Sequence, residues 1–211
     1  MKRPPFPPRH QAALGLVLLA LLALPVARHW LEASMWRHML LQFPLLLLAG
    51  TLLAAALPAR ARGAIAGCNA HGIAGLVGLG VVLSVLMVPR VLDLALRDMG
   101  VEVAKCAALL LAGTGLRLSW RPAGLVLQGF FLGMLLPMMA VVGQLYIDSP
   151  LRLCNAYLLD DQERLGHWLI ALAAVLAMAW LAHVAWRLVR REEATLMAAE
   201  PQAPEYRTKS Q

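Results

Sequence analysis

SMWRHMLLQFPLLLLAG, Ser34–Gly50, is the stretch that decides the fold class. It continues through TLLAAAL, so residues 35–57 form one apolar run in which Arg37 is the only fixed charge. A bilayer core about 30 Å thick is crossed by roughly 20 apolar residues in a helix, and this run meets that length. The same run carries His38 between two Met, then Gln42 and Pro44. A helix that only crosses lipid gains nothing from those residues. The stretch therefore predicts both a membrane span and a reason for polar groups at its start.

Outward from it lie five more apolar runs, at about 11–28, 72–89, 101–119, 122–146 and 165–187. The 211-residue chain is 60% hydrophobic and 15% charged, far more apolar than a soluble domain of this length requires. Within lipid every backbone N–H and C=O must be paired inside the protein, which selects helices over open strands. The expectation is an all-α, polytopic transmembrane helical bundle of about six spans. It forms one domain over residues 11–191, with a basic, Pro-rich disordered leader at 1–10 and a polar disordered tail at 192–211. The first run also has the basic leader and apolar stretch of a secretory signal. Its length, Ala12 to Ala27, and the lack of a small-x-small cleavage site favour a retained helix.

Charge placement sets the orientation. With the amino terminus inside, ten Lys and Arg fall on the cytoplasmic side and seven on the other before the tail. The positive-inside rule then places both termini in the cytoplasm of a multi-pass bacterial inner-membrane protein. The net charge of +7 follows from this topology. No basic run is interleaved with aromatics, so no nucleic-acid partner is expected. Three Cys leave at least one unpaired. Cys68 is cytoplasmic, whereas Cys106 and Cys154 lie towards the oxidising side, where a disulfide is chemically allowed.

On a helix, residues three and four apart share a face, which groups Met35, His38, Met39 and Gln42. Thioether and imidazole donors together suit soft metals, copper above all. Pro44 crowds the carbonyl of Leu40 and frees it towards the same region. Met is equally a common apolar filler, and a His here also suits headgroup water. Glu102 and Cys106 stand four apart and ligate metals when ionised; capping by helix dipole and simple burial explain them as well. His167 lies about one turn into the last span, behind Asp161 and Gln162. An ionisable group at that depth is a functional hypothesis, with an interfacial His beside Trp168 as the plain alternative.

Two outer segments flank these residues. In VPRVLDLALRDMG, Pro89 ends the preceding helix and Asp93 and Arg97 are spaced for an i,i+4 pair on a short surface helix. YIDSPLRLCNAYLLDDQERLGHW is the longest outer loop and holds Cys154. In the fifth run Gly129 and Gly133, four apart, predict a tight packing seam. No nucleophile elbow, phosphate-cradling glycine loop or zinc-spaced Cys pair is present, so the protein is not expected to be an enzyme.

Taken in order, the outer segments resemble the CtaG-type cytochrome c oxidase assembly factors, polytopic bacterial membrane proteins tied to the maturation of haem–copper oxidases. SMWRHMLLQFPLLLL keeps Met35, His38, Met39, Leu40, Leu41, Pro44 and Leu45 of the family's second-helix pattern, with Ser34 where a first His stands. Pro89, Asp93 and Leu96 match the next segment, with Glu102 and Cys106 near the places of two further His and Trp120 at the end. Pro150, Leu151, Asp161, Gln162, Gly166 and Trp168 follow the order of the last. The resemblance covers roughly residues 34–168, in a chain shorter than the family pattern and lacking up to three of its His.

The resemblance implies a membrane chaperone that binds a copper ion at the periplasmic face and hands it on. His38, Met39, Met35, Glu102, Cys106 and His167 would form the metal site, with Gln42, Asp93, Cys154, Asp161 and Gln162 as further candidates. The partners implied are the lipid bilayer, a haem–copper oxidase subunit or periplasmic copper carrier, and a second copy of the chain. A metal-free scaffold or accessory subunit of a larger membrane complex is the alternative. A small-molecule or ion transporter is the third reading, supported only by Gln128, Pro137 and Pro44 in the spans.

Overall fold

The computed structural model describes residues 7–199. Among them there are eight helices and no strand: α1 (Pro8–Ala23), α2 (Pro25–Glu32), α3 (Met35–Ala56), α4 (Ala59–Cys68), α5 (Ile73–Leu86), α6 (Pro89–Arg97), α7 (Met99–Asp148) and α8 (Leu159–Ala199). Prolines set several starts. Pro8, Pro25 and Pro89 each open a helix, where the missing N–H removes no intrahelical bond and the fixed φ already suits the turn.

Three helices, α3, α7 and α8, are long and apolar enough to cross a membrane. The pairs α1–α2 and α4–α5, each bent by 71°, raise the number of candidate spans to five. α7 is 50 residues long and is not straight. Gly124 at φ 62°, ψ −178° interrupts it, a conformation open to glycine alone. Near its first residue, the Arg28 guanidinium meets the Met99 sulfur at 3.7 Å. Near its last, the Tyr146 hydroxyl donates to the Met87 carbonyl at 2.8 Å. Its middle meets the opposite end of α5, where Asn69 donates to the Ser119 hydroxyl. α7 is thus a hairpin of two antiparallel halves. Across this break the Gln128 amide donates to the Trp120 carbonyl at 2.6 Å. That bond gives the polar group of the fifth run a backbone role.

Close approach organises the bundle. A Cβ at Gly50 would strike the Leu110 carbonyl, and one at Gly113 the Leu47 carbonyl, so α3 and the first half of α7 meet backbone to backbone. Gly143 and Gly166 do the same for the second half of α7 and α8. The seam expected from Gly129 and Gly133 is replaced by these pairs: Gly129 lies under Trp180, but nothing stands within 4 Å of a Cβ at Gly133.

Three boundaries differ from expectation. α1 begins inside the presumed leader, because Pro8 starts a helix there. α8 runs through Ala199, past residue 192, since EEATLMAA consists mostly of strong helix formers. The stretch between the second and third apolar runs, around the cytoplasmic Cys68, is not a plain connection but contains α4. The rest of the leader and tail, residues 1–6 and 200–211, lies outside the described residues.

Candidate functional site

The site begins with a local irregularity in α3. Pro44 cannot donate to the Leu40 carbonyl and its ring crowds it. The turn before it, His38–Gln42, opens into a π-helix, a form that recurs at functional positions. Met35, His38, Met39 and Gln42 then all face inward, with exposures of 0%, 0%, 4% and 2%. The shared face expected from their spacing is present, and it is a core face.

Around His38 gathers a buried polar knot from four segments. α7 contributes Lys105, whose ammonium lies 2.7 Å from His38 Nε2 and 3.1 Å from Gln42 Oε1. It also pairs with Glu102 Oε2 at 2.7 Å. That last contact is charge pairing rather than a well-directed hydrogen bond, since Oε2 has no partner of ordinary hydrogen-bond geometry. Glu102 Oε1 accepts from the Cys106 thiol at 3.5 Å and lies 4.0 Å from Arg28 of α2. Arg28 in turn pairs with Glu32 at 2.9 Å. The loop before α8 contributes Tyr157, 2.8 Å from His38 Nδ1 and donating to the Glu32 carbonyl at 2.9 Å.

The donors assign the imidazole tautomer. An ammonium only donates, so His38 Nε2 accepts and Nδ1 carries the hydrogen. Nδ1–H donates to the Tyr157 oxygen, whose own hydrogen goes to Glu32. With His38 neutral, Arg28 and Lys105 balance Glu32 and Glu102. Such balance is needed, because a buried charge without a partner is costly.

A second set of bonds straps the outer loop across this end. Asp93 Oδ1 accepts from the Cys154 thiol at 2.8 Å and from Ala156 N–H at 3.0 Å, and Oδ2 from Asn155 N–H at 2.9 Å. Burial pushes the Asp93 carboxyl up. The Cys154 thiol, the two N–H groups and the Arg97 charge outweigh burial and leave it below its ordinary value. Cys154 is pushed up to about 12, first by burial and then by Asp93, so it remains a thiol donor. Burial likewise holds the Tyr157 phenol above its ordinary range. Gln162 Oε1 accepts from Leu153 N–H at 2.8 Å, and its amide donates to the Tyr146 carbonyl at 3.1 Å. Ser34 donates to Asp161 at 3.0 Å.

The residues expected to form one metal site therefore part company. His38, Gln42, Glu102 and Cys106 do meet, through Lys105. His167 does not join them: it is exposed on α8 and bonded to the Glu163 carbonyl at 3.0 Å. Met35 and Met39 lie in the apolar core. Asp93, Cys154 and Gln162 fasten the loop. Cys106 and Cys154 are free thiols. No group of three or more His, Cys, Asp and Glu with metal-holding geometry occurs among the described residues. A copper ion does not fit this donor set as it stands, because both nitrogens of His38 are engaged and the ammonium takes the acceptors.

Lys105, Arg28, Glu32 and Tyr157 belong to the knot without having been singled out. Lys105 carried a signal: it is the only Lys inside any apolar run, three residues after Glu102. A Lys inside a span marks a functional site by default, with its partner named. Tyr157 carried none, since nothing local ties it to His38. No known family model matches the chain, no curated protein is detectably similar to it, and no solved structure matches its fold.

Proposed function

We propose that the chain is a six-pass inner-membrane protein, both termini cytoplasmic, that assists haem–copper oxidase assembly as a metal-free accessory factor. The six passes count the two halves of α7 separately. The oxidase assignment rests on the order of outer-segment motifs resembling the CtaG-type factors. The mode rests on one observation: the Lys105 ammonium is bonded to His38 and Gln42 and paired with Glu102. With those donors engaged, the periplasmic end serves as a rigid surface for contacts with an oxidase subunit.

Copper delivery is the second reading, favoured by Met35, His38 and Met39 on one buried face. It requires Lys105 to withdraw. Deletion of the gene, with cytochrome oxidase activity measured in membranes at low and raised copper, separates the readings. The accessory factor predicts a loss that copper does not restore; restoration by copper selects delivery. Unchanged oxidase activity removes both.

A further inference from the structure

We infer that the Lys105 ammonium is a resident, tethered cation filling a pocket built for a cation, and that its removal opens a site for an external one. The groups around it come from separate helices: His38 Nε2 at 2.7 Å and Gln42 Oε1 at 3.1 Å from α3, and Glu102 Oε2 at 2.7 Å from α7. The Lys105 side chain is 1% exposed and that of Glu102 5%, so water has almost no access to them. Of the three hydrogens an ammonium offers, two meet His38 Nε2 and Gln42 Oε1, and the Glu102 carboxylate beside them balances the charge.

The inference stands on this geometry whether or not the oxidase reading holds. Lys105→Ala leaves Arg28 against Glu32 and Glu102, so the knot acquires one uncompensated negative charge. It also frees an imidazole nitrogen, a carboxylate and an amide oxygen, with the Cys106 thiol beside Glu102. Imidazole, carboxylate and thiolate suit borderline divalent metals. Alanine keeps Cβ, so the atoms lost amount to a propylammonium ion. Two probes of different chemistry therefore fit the vacated space: Co(II), which would be ligated, and propylammonium, which would restore the original contacts.

The test uses the full chain in detergent. Wild type, Lys105→Ala and Lys105→Ala/His38→Ala are incubated with Co(II), desalted and assayed for bound metal and visible absorption. The expected result is no His38-dependent Co(II) in wild type and one equivalent in Lys105→Ala, lost in the double variant. Propylammonium is expected to raise the melting temperature of Lys105→Ala and leave wild type unmoved. His38-dependent Co(II) in wild type overturns the inference. So does a folded Lys105→Ala that retains no Co(II), or retains it independently of His38. If Lys105→Ala does not fold by itself, recovery of the fold with propylammonium or Co(II) supports the inference, and no recovery with either overturns it.

Discussion

At the scale of single residues, His38 depends on groups distant in sequence. Tyr157 is 119 positions away and Lys105 is 67. Tyr157→Phe leaves the buried Nδ1–H and the Glu32 carbonyl without that hydroxyl, and the cost of an unsatisfied buried polar group is about 1–3 kcal/mol. Denaturant unfolding in detergent micelles should show a loss of that size. Asp93 makes a different prediction. Its carboxyl titrates below the ordinary value of 3.8, so the unfolded state takes up the proton first as pH falls. The stabilisation is complete above that value and is lost as pH drops through the lowered one. Proteolysis of the 150–158 loop should therefore rise in acid for wild type, whereas Asp93→Asn should be cleaved more readily at neutral pH and show no such acid limb. The spacing of Met35, His38, Met39 and Gln42 made their common face legible. Glu102, three residues before Lys105 on the same helix, is within local reach, whereas the neutral partners of Lys105, His38 and Gln42, are invisible without the packing of α3 on α7.

At the scale of elements, two local irregularities shape the molecule. The π turn at His38–Gln42 follows from Pro44, a reading available from sequence because proline acts on the carbonyl four residues back. Its width could not be read, since it depends on how the turn packs against α7. The reversal at Gly124 falls just inside the fifth apolar run, two residues past its expected start at about 122. What the counting missed is that the helix continues on both sides with one glycine as the hinge. Gly124→Ala forces a side chain into a backbone region reserved for glycine, at a cost of about 1–3 kcal/mol. Titration with a denaturing detergent should find the variant unfolding earlier by that margin. An unchanged midpoint would mean the hinge tolerates another conformation.

At the scale of the whole molecule, the fold has two distinct ends. One holds the knot and the strapped loop; the other holds Asn69, Ser119 and the exposed Cys68. If the knot faces the periplasm, a membrane-impermeant maleimide applied to intact cells should leave Cys68 unlabelled and should label it in inverted vesicles. Cys154, 1% exposed and held by Asp93, should resist labelling from either side until the protein is unfolded. Labelling of Cys68 from outside would reverse the orientation.

Chain composition alone determined that this is an all-helical protein of membrane-spanning character, because the apolar runs have the length that lipid demands and the backbone has no other way to satisfy itself there. It also marked where the polar start of α3 would matter. Tertiary structure alone decided what that polar start does. Whether His38 meets a metal or an ammonium depends on which side chain another helix delivers to within hydrogen-bond distance. That delivery is set by the glycine contacts of α3 with α7 and by the loop carrying Tyr157, neither of which local spacing encodes.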